Sequence, residues 1–315
     1  MSWLPEYCKP ASVIWISDMN LSPVPASSLR FNPDKGKPLH VFTDALLGCL
    51  AIAEQNRRVF LCSHDPEAVH QYRIALRQAR SLIKVHSDWL TKPVRHQLTL
   101  CIKQLARPTD NPRDFQVLGE QIARMPVTER FCPTLASALN EVSREVNRLR
   151  YSQCVRLRRY WHSRDYQHQF AAAQTQIKEV HFSIKRKTYR STLHQIAVRQ
   201  LNKLKKRIKH LPELDLIHQH RVRIRVKVLR YVVSLYRPWL RRIKLKPLRK
   251  SQKSLGKLHD LETHSQLLQS YLTRKHKTTA NYSLCALGVG ALIQQWAGHY
   301  ERTLTSLSAQ KLTYR

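Results

Sequence analysis

Apolar residues recur at every third or fourth position along most of this chain, which is the spacing of helices with one buried face. Glycine, which weakens helices, occurs at only six positions beyond residue 38. The pattern therefore predicts an all-α fold. The predicted helices span about 40–58, 66–89, 93–106, 114–124, 134–161, 191–210, 215–237, 241–257, 260–275 and 280–306.

The first 38 residues differ because they carry six prolines, which remove backbone donors and interrupt regular structure. We expect an irregular N-terminal extension over 1–38, followed by a helical domain over 39–308. Within that domain the order of predicted helices repeats, which indicates two halves at about 39–165 and 170–308. Long helices with short links favour antiparallel neighbours, so we expect two four-helix bundles related by a pseudo-twofold axis.

One predicted helix in each half carries the same arrangement of basic residues, H-x2-R-x3-[R/K]-x2-R. The two copies consist of His70, Arg73, Arg77 and Arg80, and of His220, Arg223, Lys227 and Arg230. In a helix these offsets fall within an arc of about 80°, so each copy forms a narrow basic stripe. Lys84 continues the first stripe, whereas Ser234 takes that place in the second.

Each basic stripe has aliphatic neighbours on both sides, such as Ile224 and Val226 in the second copy. Helices that are apolar on both shoulders should be largely buried, yet burying an unpaired guanidinium costs several kcal/mol. Stacked like charges also repel one another. The stripes are therefore predicted to face a basic, water-filled central channel between the halves, where an anion lies against them.

An acidic residue follows each stripe at a similar distance, Asp114 in the first half and Asp260 in the second. Each lies in a segment that we interpret as a turn, 111–118 and 256–262, at the start of the next helix. Both carboxylates are therefore expected to mark helix starts or to pair with a cation.

The charge of the chain identifies the class of partner. Lys and Arg outnumber Asp and Glu by 55 to 21, a formal net charge of +34. Residues 181–260 hold 24 of the basic residues against three acids, whereas residues 1–60 are nearly neutral. Such an excess favours nucleic acid, inorganic polyphosphate or an acidic membrane surface as the partner, with the second half contributing most of the surrounding charge.

Other features exclude some classes of protein. The seven cysteines form no C-x2-C pair, which favours free thiols in a reducing cytoplasm over a disulfide framework or a zinc site. The N-terminus lacks the pattern of a secretory signal. The longest apolar run, 284–296, is too short to cross a bilayer and predicts a buried helix. We expect no cofactor, no metal and no transmembrane segment.

The repeated stripe resembles the CHAD family, the conserved histidine α-helical domain. Further matches are Arg113-Asp114-x2-Val117-Leu118 in the first half and Leu255-Gly256-x3-Asp260 in the second, so the resemblance covers about 39–308. It implies two pseudo-twofold-related bundles around a basic channel, binding of inorganic polyphosphate, and localisation to polyphosphate granules. Some members carry a CYTH triphosphatase domain, whose E-x-E-x-K motif is missing here, so a standalone binding protein is expected.

Carried over by motif, the resemblance implies a specific set of ligand contacts. These are His70, Arg73, Arg77, Arg80 and Arg113 from the first half and His220, Arg223, Lys227 and Arg230 from the second. Lys84 joins them because it extends the first stripe. The chain departs from the family at Thr109-Asp110, where Leu-Gly is usual, and it has His259 where the first half has Arg113.

Two other functions remain open at this stage. A nonspecific nucleic-acid-binding protein would use the same basic surface, although aromatic residues suited to base stacking are sparse. An enzyme acting on polyphosphate would need a metal site or an acid–base pair beside the stripe. The histidines could likewise contact phosphate, serve structure or take part in catalysis. Binding without catalysis is the expectation that the repeated stripe favours.

Overall fold

The computed structural model of this chain describes residues 22–29, 32–34, 36–125, 132–274, 281–309 and 312. These residues form α-helices and short 3-10 turns, with no strand among them, so the all-α prediction is confirmed. The helices are α1 (Pro38–Ser63), α2 (Pro66–Val85), α3 (Lys92–Ala106), α4 (Asp110–Ala123), α5 (Pro133–His162), α6 (Arg164–Lys178), α7 (Arg186–Lys209), α8 (Leu216–Leu235), α9 (Arg237–Leu240), α10 (Leu245–Arg274) and α11 (Tyr282–Ser308).

Helix α10 is one continuous element where the sequence predicted two. The predicted turn at 256–262 is therefore wrong, and Asp260 lies inside the helix. Gly256 costs about 1 kcal/mol in a helix interior. Leu255 and Leu258, on either side of Gly256, are buried. Burial of each leucine stabilises the fold by about 1.5–3 kcal/mol, which outweighs the penalty of the glycine.

Helices α4 and α6 also differ from the prediction. Helix α4 begins at Asp110 instead of 114, so Asp114 lies in its second turn; Pro112 is compatible because the first turn needs no backbone donor. Helix α6 was not predicted, because its buried residues are sparse. It is initiated by Ser163, whose Oγ accepts a hydrogen bond from Tyr166 N at 3.2 Å.

The two stripe helices begin in the same way. Asp65 Oδ1 accepts a hydrogen bond from Glu67 N at 2.8 Å at the start of α2, which has a proline in its first turn. Asp215 Oδ1 accepts from His218 N at 2.7 Å at the start of α8. Each cap satisfies a backbone donor that the helix itself leaves free.

The buried side chains form two clusters that do not follow the order of the chain. The larger cluster joins α1–α3, α6–α9, the first part of α10 and the C-terminal ends of α5 and α11. The smaller joins α4 and the remaining parts of α5, α10 and α11. Gly288 on α11 lets that helix approach α5 closely, since a Cβ there would stand 2.8 Å from the carbonyl oxygen of Ala138. Both cores are thus shared between the two halves.

A buried polar network ties the end of α2 to the second half. His86 is fully buried, and its Nδ1 donates to the carbonyl oxygen of Leu82 at 2.7 Å, so its Nε2 accepts from the Tyr189 hydroxyl at 2.7 Å. The Tyr189 and Tyr236 hydroxyls lie 2.8 Å apart. Burial lowers the pKa of His86 to about 4, so the imidazole is neutral and holds α2, α7 and the end of α8 together.

Part of the N-terminal extension packs on the helices. Asn56 on α1 is buried and exchanges hydrogen bonds with both backbone groups of Val24, at 3.0 and 2.9 Å. Asp34 Oδ1 accepts from Trp239 Nε1 at 2.7 Å. These contacts connect the extension to α1 and α9. The first 21 residues of the predicted extension lie outside the described part of the chain.

The pairing of helices repeats in chain order. Helix α1 packs on α2 as α7 packs on α8, and α2 packs on α3 as α8 packs on α10. The two stripe helices, α2 and α8, contact each other, as do α5 and α11. A pseudo-twofold relation requires such pairings, although the symmetry, the two separate bundles and the boundaries at 165 and 170 stay predictions.

Candidate anion-binding groove

An open groove of about 1270 Å³ lies where α2, α3, α7 and α8 come together. The described residues around it include eleven Lys or Arg side chains and one carboxylate, Asp88. The basic residues are Arg77, Arg80, Lys84, Lys92, Arg95, Arg199, Lys203, Arg207, Arg223, Arg225 and Lys227. Aliphatic side chains such as Val228 and Val232 line the remaining wall. The groove therefore concentrates positive charge next to a low-dielectric surface, which strengthens its field.

Six of the ten residues predicted as ligand contacts line this groove. They are Arg77, Arg80, Lys84, His220, Arg223 and Lys227. They come from both stripes, and the contact between α2 and α8 brings them to one site. Their role as ligand contacts stays a prediction.

The other four predicted residues lie elsewhere. Arg73 is buried and donates from Nη1 to Thr109 Oγ1 at 3.0 Å and to Asp110 Oδ1 at 2.5 Å. Arg230 places its guanidinium 4.1 Å from the ring centre of Tyr231. Neither arginine lines the groove.

His70 and Arg113 form the remaining part of the predicted set, where α2 contacts α4. Both are half-buried and do not line the groove. Burial, together with the positive charges of Arg113 and Arg77, lowers the pKa of His70 to about 4. His70 is therefore uncharged at neutral pH.

The sequence-based set omitted cations on two further helices. Lys92 and Arg95 on α3 and Arg199, Lys203 and Arg207 on α7 also line the groove. The three on α7 repeat every fourth residue, which places them along one side of the helix. That spacing was visible in the sequence, but nothing in it indicated that α7 stands opposite α2. Arg225, between the stripe positions of α8, was likewise omitted.

Burial and mutual repulsion disfavour the charged forms of Arg77, Arg223 and Lys227. Burial, together with the charges of Arg77 and Arg223, lowers the pKa of Lys227 to about 6. Burial likewise lowers the pKa of Arg223 to about 10, and that of Arg77 also falls. A bound polyanion would reverse these shifts, because an opposite charge favours the protonated form.

Two carboxylates adjoin the groove cations from α4 and α10. Burial raises the pKa of Asp114 and of Asp260, while the nearby arginines oppose that shift. Asp260 acts on Arg223 and Lys227, and Asp114 on Arg77. They are neither helix starts nor partners in an ion pair of the described residues. The sequence did not show that Asp114 and Asp260 lie near these groove cations. Their negative charges favour the protonated forms of Arg77, Arg223 and Lys227.

A smaller cavity adjoins the groove at His220, which lines both. The rings of His220 and His259 lie with centres 5.0 Å apart. Burial, together with the charge of neighbouring Arg223, lowers the pKa of His259 to about 3. Burial and Arg223 also lower the pKa of His220. Among the described residues no three His, Cys, Asp or Glu side chains lie close enough to hold a metal ion.

Comparison with known families identifies a match over most of the helical region. The family model described as the CHAD domain matches residues 44–269. No curated protein matches the sequence. Of the helices in the described part of the chain, none is long and apolar enough to cross a membrane. The predicted apolar run lies in α11, where Val289, Leu292 and Trp296 are buried.

Two solved structures share the fold. The crystal structure of the CHAD domain from the plant Ricinus communis matches with a TM-score of 0.70 and 23% sequence identity, covering 92% of this chain and 99% of that one. PptA from Streptomyces chartreusis matches with a TM-score of 0.63 and 12% identity, covering 88% and 100%. The TM-scores show that both structures have the same fold as this chain.

Proposed function

Since the chain belongs to the CHAD domain family, we propose that it binds inorganic polyphosphate in the groove and carries out no reaction there. One observation carries the proposal: the groove gathers eleven Lys or Arg side chains from four helices against one carboxylate. The two stripe helices that the sequence singled out supply its centre. Polyphosphate would be held from several sides.

The chemistry of the ligand follows from the side chains present. Arginine offers a planar fork of donors that matches phosphate oxygens, and lysine offers a compact charge. A chain of tetrahedral phosphates places repeated negative charges beside such a row. Burial disfavours the charged forms of Arg223 and Lys227, so an anion beside them would offset that cost. Because counterions are released, affinity should fall steeply as salt is raised.

Nucleic acid is the alternative partner, and the groove is less suited to it. Proteins that hold single strands without sequence preference stack the bases on aromatic rings. Of the described residues around the groove, Tyr231 is the sole Phe, Tyr or Trp. Nonspecific contact with nucleic acid is therefore a weaker activity, and polyphosphate should displace it. Binding to polyphosphate would also direct the protein to polyphosphate granules.

Titration with polyphosphate tests the proposal directly. The wild-type protein should bind a short polyphosphate, with affinity falling linearly against salt on logarithmic axes. Arg223→Gln with Lys227→Gln should lower the affinity about a hundredfold, since each charge-assisted hydrogen bond contributes about 1.5–3 kcal/mol. A matched control replaces exposed Lys103 and Lys178, outside the groove, by Gln and should bind as the wild type does.

Competition separates polyphosphate from nucleic acid. Polyphosphate should displace labelled duplex DNA and RNA at physiological salt, whereas the reverse displacement should fail. If polyphosphate does not displace them, or if the groove variant binds like the control, the proposal is wrong. Phosphate release from polyphosphate by the wild-type protein would contradict the absence of a reaction.

A further inference from the structure

A second basic surface lies on the outer side of α10, away from the groove. In the first two thirds of this helix, over 245–265, every exposed residue is Lys or Arg. These five residues, Lys246, Arg249, Lys250, Lys253 and Lys257, form what we name the outer face of α10. None of them lines the groove. The inner side of the helix is occupied by buried Leu248, Leu255 and Leu258, so packing does not require these cations.

The outer face is a straight row. At 100° per residue the five positions fall within an arc of about 100°. At 1.5 Å per residue, Lys246 and Lys257 are about 16 Å apart along the helix axis. Exposed Arg241, Arg242 and Lys244 precede the row, so residues 241–259 hold eight Lys or Arg and no Asp or Glu.

Within the described part of the chain, no carboxylate lies within 4.0 Å of any of the five. Five pairs among them are spaced by three or four residues, and like charges at that spacing destabilise a helix. An exposed helix face can be solvated without a row of cations, as the remaining third of α10 shows. Its exposed residues are Gln266, Gln269, Ser270, Thr273 and Arg274. The row is a cost to folding that an external anion would offset.

The composition of the row restricts the partner. The exposed large apolar residues of the described chain all lie on other elements, so the row offers nothing to insert into a membrane. It also offers no aromatic ring for stacking against a base. Four of the five residues are lysines, whose mobile point charges suit a flexible polyanion more than a rigid planar group.

We propose that the outer face of α10 is a second binding site for inorganic polyphosphate, which contacts a segment of chain outside the groove. This inference rests on the proposed function. Two sites on one protein make binding multivalent, because a long chain held in the groove is kept near the outer face at high effective concentration. Long chains therefore bind more tightly than short ones, and a long chain can also connect two protein molecules.

The experiment compares two variants that each lose four lysines. One replaces Lys246, Lys250, Lys253 and Lys257 by Gln, and the matched control replaces the exposed, scattered Lys103, Lys178, Lys187 and Lys205 by Gln. Both lose the same net charge, and glutamine preserves helix propensity. Circular dichroism checks folding. Affinity is then titrated against salt with a short polyphosphate that fills only the groove and with a long one.

The variant of the outer face should bind the short chain like the control and the long chain at least about tenfold more weakly. For the long chain, the plot of log affinity against log salt concentration should become less steep by about 3 in this variant. Each of the lost phosphate contacts accounts for about 0.7 of this change. Equal long-chain affinity of the two variants overturns the inference while the proposed function stands. So does a loss confined to duplex DNA or to vesicles of anionic lipid. A wild-type protein that binds neither polyphosphate overturns both.

Discussion

The buried side chain of Arg73 forms an ion pair with the exposed carboxylate of Asp110, with Nη1 and Oδ1 2.5 Å apart, although Arg73 belongs to the basic stripe of α2. Arg223 occupies the same position in the stripe of α8 and lines the groove. Equivalent positions in the sequence repeat therefore have different surroundings.

Single substitutions should separate these two arginines. Arg73→Gln should lower the free energy of unfolding by about 1–3 kcal/mol, because Thr109 and Asp110 lose a buried donor, and should change polyphosphate affinity little. Arg223→Gln should lower affinity at least about tenfold without lowering stability. Urea denaturation and polyphosphate titration of both variants measure the two effects. Equal loss of affinity would show that Arg73 leaves Asp110 to contact the ligand.

Polyphosphate affinity should depend on pH through Lys227. Burial lowers its pKa to about 6 in the empty groove, so at pH 7–8 the amine must take up a proton when a polyanion binds. Affinity should therefore fall as the pH rises from about 6 towards 8. Calorimetry at pH 7 in two buffers of different ionisation enthalpy measures the proton uptake. Lys227→Arg keeps the charge and should abolish most of it; unchanged uptake in that variant would assign the proton elsewhere.

The same residue should limit the stability of the free protein. Lys227 has a pKa of about 6 when folded and near 10.5 when unfolded, so between these values the unfolded chain binds the extra proton. The free energy of unfolding therefore rises with pH across this range, and the cost of burying the charge is complete below pH 6.

Lys227→Met should accordingly raise the free energy of unfolding by about 1–3 kcal/mol at pH 6. The gain should shrink as the pH approaches 10.5, where the lysine is neutral in both states. Denaturation across this pH range checks both points. A variant less stable than the wild type at pH 6 would show that Lys227 makes a stabilising contact in the empty groove.

Two glycines inside helices should respond in opposite ways to alanine. A Cβ at Gly256 meets no atom within 4 Å, so Gly256→Ala should stabilise the protein by about 0.5–1 kcal/mol. A Cβ at Gly288 would stand 2.8 Å from Ala138 O, so Gly288→Ala should destabilise it by about 1–3 kcal/mol. Thermal unfolding measures both. Destabilisation by Gly256→Ala would mean that α10 needs flexibility at that position.

The sequence by itself determined the helical class and the two stripe helices, because helical periodicity and capping residues act over a few neighbouring positions. The Asp65 cap shows this, since its partner lies two residues away. Local sequence signals gave a wrong prediction at Gly256, where the glycine suggested a turn but the helix continues. Burial of the neighbouring leucines, a property of the whole fold, keeps α10 continuous.

Only the tertiary structure decided which cations share a site. Arg199 and Lys203 on α7 share the groove with residues of α2 and α3, and the sequence has no signal that brings α7 to these helices of the first half. Arg73 pairs with Asp110, which lies 37 positions away in the sequence, and does not line the groove. The physical reason is that charge pairing and desolvation depend on distances set by packing, whereas a stripe depends on spacing within one helix.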